Sequence, residues 1–361
     1  MLEEQRLNNP PRYLTRITCN QAYFSEYPFI RDEGYRCMRD LNRGYAQKNW
    51  PHDQILYHMP ALIVALHAEI STRGYVRKGV YTVIPDESCW GWHSGEWPAN
   101  HITPPTYIDT TVMVVTQYWM DNFHHVLTES CSRLAFHYEY LITHKDVLLH
   151  VASTREGTLT RKIMEYLGFP ASRLISGHVV AARVIMPEPA LHCGVGATRQ
   201  VRKLHTILQS KLPQIFPSSE LDVSSHGGYI LVVKRSKERR MTNHDELIVS
   251  LKHHFPTREI VVFSDNPVPF LEESFKMFYL ASIIIAPHGA GLGNLNVVRN
   301  GTLVIEVLTN DKFIHFAFAR LAQQNDLRYF GYSPEVGQSE YKGTITANID
   351  LIIQTIQREA E

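Results

Sequence analysis

Residues 282–294 read SIIIAPHGAGLGN, an apolar run that closes on Pro287 and His288 and opens into a loop with glycine at 289, 291 and 293. A run apolar at every position suits a strand buried on both faces, as in a parallel sheet, and not the alternating strand of a half-exposed one. Gly289, Ala290 and Gly291 then make a turn where backbone can approach a ligand. The helix expected next would offer N–H groups and the positive end of its dipole to a phosphate. His288 falls at the carboxyl end of the strand, the edge where open α/β sheets bind ligands. A glycine-rich turn with no ligand is the competing reading of the same letters.

The alternation extends outward from this segment. YILVVK (229–234), EIVVFS (259–264) and LVIEV (303–307) read as further buried strands, and helical patterns lie over 244–253, 269–281 and 312–324. This spacing predicts a doubly wound α/β domain over 225–361. LPQIFPSSELDVSSHGG (212–228), rich in Pro, Ser and Gly, reads as a linker. Before it, YTVIP (81–85), TVMVV (111–115), DVLLHVA (146–152) and 178–186 read as strands, and 121–143, 159–167 and 198–212 as helices. The expectation is therefore a second α/β domain over 1–215, mostly parallel and covered by helices. Residues 1–75 are hard to read; only IVALHAEI (63–70) looks like a short helix, and no chemistry is assigned there.

A chain of 361 residues exceeds what one core usually organises. Its 36 basic residues balance 36 acidic ones, so no global field recruits nucleic acid or anionic lipid, and a charged ligand must be met locally. The five cysteines are scattered with no C-x-x-C pair, which suggests neither a zinc site nor a disulfide framework. With no apolar leader and no long apolar run, the expectation is a cytoplasmic protein without a membrane span.

Two further segments carry candidate chemistry. KRSKERRMTN (234–243) follows a strand and sets five positive charges against Glu238. Its arginine forks suit diphosphate oxygens, although a basic run is also an ordinary solvated loop. DNFHHVLTES (121–130) puts His125 and Glu129 four apart, on one helix face. Such a pair can take a proton from a hydroxyl; a buried structural histidine is the plainer alternative, and no third residue has metal-ligand spacing. His253 and His254 read as structural. There is no G-x-S-x-G, no P-loop GKS or GKT and no Asp-x-Asp. A diphosphate would therefore be neutralised by arginine and backbone, without a carboxylate-held divalent ion.

Together the three segments resemble family 61 glycosyltransferases, which include plant xylosyl- and arabinosyltransferases and animal N-acetylglucosaminyltransferases. The resemblance covers about residues 110–310. Its pattern falls on Asn122, His125 and Glu129, on Arg235, Arg240 and Asn243 ahead of Asp245 and Glu246, on His288, Gly289 and Ala290, and on Glu306. It implies a GT-B architecture, with two Rossmann-like domains facing across a cleft and the nucleotide sugar held mainly by the C-terminal one. It implies inverting transfer without a metal or resident cofactor, the nucleotide sugar being a co-substrate, usually UDP-xylose or UDP-N-acetylglucosamine, and a glycan or glycoprotein the acceptor. His125 or Glu129 would be the base, with the choice open. Arg235, Arg240, Asn243, His288, Gly289, Ala290 and Gly291 would hold the donor, and Glu306 would accept ribose hydroxyls.

Two rivals remain. One is an NAD(P)-dependent oxidoreductase, because Gly289, Gly291 and Gly293 resemble a dinucleotide fingerprint; however, Asn294 stands where its third glycine belongs, and Glu306 comes too early for the ribose acid. The other is a non-catalytic nucleotide-sugar-binding protein, against which the intact His125 and Glu129 pair counts.

Overall fold

The structure, a computed structural model, describes residues 30–31, 62–79, 81–83, 104–117, 119–120, 122–187, 196–224, 227–308, 317–332, 336–337 and 343–360. By contact these separate into two units. The first ends at Ile207; the second runs from Leu208 and takes in Ile30–Arg31. The division falls inside the helix Thr198–Ile215, which continues through Pro213, beyond the helix end expected at Leu212.

In chain order the strands are β1 (Ile30–Arg31), β2 (Leu62–Ile70), β3 (Val76–Lys78), β4 (Tyr81–Val83), β5 (Thr106–Val114), β6 (Leu148–His150), β7 (Leu174–Ile175) and β8 (Val179–Pro187). There follow β9 (Tyr229–Lys234), β10 (Ile260–Ser264), β11 (Ala281–Pro287), β12 (Leu303–Val307) and β13 (Arg328–Tyr332). A two-stranded antiparallel pair, Val336–Gly337 with Ile345–Thr346, completes them.

The first unit holds a mixed seven-stranded sheet in the order β4-β3-β2-β8-β5-β6-β7. Strands β8, β5, β6 and β7 are parallel, as the sequence suggested, but β2, β3 and β4 pair antiparallel. The segment read as a short helix is strand β2. Its β-branched Ile63, Val64 and Ile70 favour extended backbone, and it pairs with β8 from Leu62 to Ile70. The pairing skips His67, whose φ of 48° marks an irregularity that a period-based reading takes for a change of structure.

His150, at the end of β6, is wholly buried. One ring nitrogen meets Gly177 O at 2.7 Å and the other the Thr116 hydroxyl at 2.7 Å, which fixes Nε2 as the donor to the carbonyl. Burial pushes the imidazole down from 6.5 to about 4, against the Gly177 bond. Between these values the unfolded chain binds the proton and the folded one does not, so this contribution is present above pH 6.5 and is lost as pH falls towards 4. At 1.36 kcal/mol per pH unit it amounts to about 3 kcal/mol. Urea unfolding of the wild type and His150→Gln at pH 7 and pH 4.5 should show the gap between them narrowing in acid; an unchanged gap would refute the assignment.

The second unit holds a six-stranded, wholly parallel sheet in the order β10-β9-β11-β12-β13-β1. Counted from β9, its first five strands run second, first, third, fourth, fifth, the flavodoxin-like doubly wound order. Between β9 and β11 the chain reverses direction across the sheet, which opens a crevice at the strands' carboxyl ends. One face carries Ile230, Val232, Ile283, Ile285, Leu303, Ile305, Val307, Phe330 and Tyr332, packed with Leu247 and Leu251 of the helix His244–His254 and Ile352, Ile353 and Ile356 of the helix Ile349–Ala360. By strand alternation Leu231, Val233, Ile284, Ala286, Val304, Glu306 and Tyr329 lie on the other face.

Candidate functional site

In the second unit the site grows out of that second face. Arg235 directly follows β9 and His288 directly follows β11, the two strands that bound the crevice. Arg235 Nη1 donates to His288 O at 3.1 Å. The guanidinium lies so close over Gly289 that a Cβ there would fall inside it. Gly289 itself is extended, φ 160°, so glycine is needed here for the close approach of a cation and not for backbone strain. The expected helix after the loop is the 3-10 helix Ala290–Asn296, seven residues long. So short an element brings little dipole, and the positive charge of the site comes mainly from Arg235.

His288 continues the β11 ladder through its N–H to Val307 O at 2.9 Å, and its ring packs edge-on against Phe318. Its Nδ1 lies 2.5 Å from Glu306 Oε1. Tyr329 donates to the other carboxylate oxygen at 2.6 Å. Glu306 is 0% exposed, and its two oxygens are engaged by His288 and Tyr329.

The basic loop is arranged differently from its sequence reading. Arg240 is exposed, and its side chain makes no hydrogen bond among the described residues, while Arg239 is buried with φ 55°. Asn243 spends both amide atoms on the backbone of Ala347, at 2.8 and 2.9 Å. With Arg239 N–H to Gly343 O, Ile345 N–H to Arg240 O and Thr242 N–H to Ile345 O, it ties the loop to the strand Ile345–Thr346. Lys234 is exposed and sits 3.5 Å from Asp245. The hydrogen bond from His244, and then the Lys234 charge, hold the Asp245 carboxyl below its ordinary value. His253 and His254 close the helix His244–His254, exposed and packed on one another.

In the first unit Asn122 caps a helical run, its Oδ1 accepting from His124 N–H at 3.1 Å. The run is α-helical over Phe123–His125, π-helical over Val126–Cys131 and α-helical again over Ser132–Ala135. A single long helix was expected over 121–143; after Ala135 the chain turns before the helix Tyr138–Thr143, and Asp121 lies outside the described residues. π-Helical turns inside α-helices often mark functional positions. Gly196 packs on this turn, where a Cβ would come within 2.6 Å of Thr128 O and Ser132 Oγ.

Glu129 lies in the π turn, 0% exposed, and its Oε2 is 3.1 Å from His125 Nδ1. The two groups lie within ion-pair distance, a pairing that is charged only when the imidazole is protonated. Gln117 Nε2 donates to the same oxygen, and Arg133 Nη2 donates to Gln117 Oε1 at 3.4 Å. The Gln117 amide thus bridges a buried carboxylate and a buried guanidinium, which fixes its orientation. The His125 ring stacks on Trp119 with centroids 5.8 Å apart. His125 is the more open partner, with 17% of its side chain exposed.

Gln117, Trp119, Arg133 and Tyr329 escaped the sequence reading. Arg133 had a signal, standing four residues beyond Glu129; the others come from separate strands and loops and had none. Cys131, the described cysteine, is buried in the π turn, which pushes its thiol up to about 12 and leaves it a packing group; the other four lie outside the described residues. Among the described residues no three His, Cys, Asp or Glu side chains group as metal ligands would, and no helix is long and apolar enough to cross a membrane.

Comparison with known proteins agrees with the order of these elements. The family model described as Glycosyltransferase 61 matches residues 123–305, from the capped helical run to the end of β12. The curated proteins contain no match to the chain.

Proposed function

We propose, since the chain belongs to the glycosyltransferase 61 family, that it moves a sugar from a UDP-linked donor to a glycan or protein hydroxyl with inversion and without a metal. The observation that carries the donor half is the Arg235 guanidinium laid across Gly289 at the β9/β11 crevice, with His288 beside it. A cation held by close backbone approach at a topological switch point suits a diphosphate leaving group. The GT-B plan is part of this reading and rests on the family and on each unit having its own α/β sheet.

In the proposed reaction His125 is the base. Glu129 beside Nδ1 stabilises a proton there, so Nε2 takes the proton of the acceptor hydroxyl. The hydroxyl oxygen bonds to the anomeric carbon as the bond from that carbon to the diphosphate breaks, and the diphosphate leaves with the electron pair. Arg235 and His288 neutralise the charge that develops on it. UDP-xylose and UDP-N-acetylglucosamine, the usual donors of the resemblance, are the first to test.

Calorimetric titration tests the class of ligand. UDP is expected to give saturable heat and NADH none, and UDP at a hundred times its Kd should stabilise the fold by about 2.7 kcal/mol. Binding of NADH with no response to UDP would overturn the reading in favour of an oxidoreductase.

A further inference from the structure

His288, Glu306 and Tyr329 form a diagonal across three adjacent strands of one sheet. Ala286 is in register with Glu306, and Val304 with Tyr329, so His288, Glu306 and Tyr329 stand on the same face of β11, β12 and β13. Directly opposite Glu306 on β13 is Gly331, which brings no side chain to that face. The phenol of Tyr329, two residues earlier, therefore has room to reach along the strand to the carboxylate, the diagonal reach that an aromatic side chain spans in a sheet. It donates to Oε2 at 2.6 Å while Oε1 accepts from His288 Nδ1 at 2.5 Å, and Glu306 and Tyr329 are both 0% exposed.

We infer that Tyr329 is a positioning residue for the donor site, acting through Glu306 to set the ring plane of His288; this rests on the assignment of His288 to that site. A carboxylate has two oxygens and rotates about its last bond. Occupying one with a fixed phenol locates the other, as partners behind a ligating imidazole do in metal sites. With Nδ1 held as the donor to Glu306, the plane of the ring follows the carboxylate, and the phenol, in the interior of the sheet, fixes the direction of that carboxylate. A Tyr329 that merely packs would need its ring and not its hydroxyl.

Tyr329→Phe removes the hydroxyl alone. Turnover is expected to fall about tenfold with KM for the donor nearly unchanged, by analogy with the loss of a partner behind a metal ligand. In protein labelled with 15N-histidine, with the His288 signals assigned by His288→Gln, the Nδ1 and Nε2 resonances should shift. Adding Tyr329→Phe to Glu306→Gln should bring no further loss, because the relay is already broken at its middle member; additive losses would mean the hydroxyl acts elsewhere. Unmoved His288 resonances and wild-type turnover in Tyr329→Phe overturn the inference even where His288→Gln abolishes UDP binding. Conversely, shifted resonances in Tyr329→Phe, together with wild-type UDP binding by His288→Gln and Arg235→Ala, would uphold the relay as a structural device and overturn the donor-site assignment.

Discussion

Arg235→Ala is expected to lower turnover about a hundredfold while leaving the chain folded. The guanidinium is half-buried, and its Nη1 donates to His288 O at the end of β11. Its expected work lies in the transition state, where a diphosphate gathers charge as it leaves. Removing one preorganised donor from such a site costs on the order of 3 kcal/mol. Gly289→Ala should reproduce part of the loss by another route. The added methyl would overlap the guanidinium, which being the end of a flexible side chain must swing away, so the charge survives but its place is lost. Rates with a panel of UDP-sugars, beside thermal unfolding of both variants, decide the matter. Wild-type turnover in Arg235→Ala would place the leaving group elsewhere.

Four strands of the second unit, β9 to β12, were legible because each is a largely apolar run, a signal that survives without knowledge of neighbours; β13, RYFGY, and the two-residue β1 carry no such run and were not read. The first unit was legible in part: β4, β5, β6 and β8 were read as strands, β2 was not. IVALHAEI is short and mostly apolar, broken only by His67 and Glu69, so its length and period do not separate helix from strand; pairing with β8 settles it, and that partner lies more than a hundred residues away. The site shows the same division. His125 and Glu129 meet because four residues return to one side of a helical turn, π or α, a relation written in the spacing. Glu306 and His288 both lay at expected strand ends, yet their meeting, and that of Glu306 with Tyr329, were not legible, because they reach one another across strands whose order no local pattern reveals. Arg240 and Asn243 show the converse limit. Charge and amide chemistry suggested ligand contacts; what the letters did not reveal is that the loop turns at Arg239, with Arg240 exposed, and that the chain returns at Ala347 to bond Asn243.

His125→Ala should lower turnover by about two to four orders of magnitude, the usual contribution of a positioned general base, and leave UDP affinity at the wild-type value. Glu129→Gln should cost less, because it keeps the side chain's size and its place beside Nδ1 and removes only the charge. Burial supports this order. Glu129 is 0% exposed and its Oε2 is shared between Gln117 and His125, so an acceptor hydroxyl meets the imidazole first. A buried carboxylate behind an open imidazole steadies the cation that forms when the ring takes a proton, and without it the same transfer leaves a charge beside a neutral amide. Trp119, stacked on the ring, resists its rotation in Glu129→Gln, so the geometry of the site should outlast the loss of the charge. Single-turnover rates with saturating donor isolate the step. If Glu129→Gln proves the more damaging substitution, with folding and donor binding intact, then the carboxylate is itself the base and the imidazole only guides it.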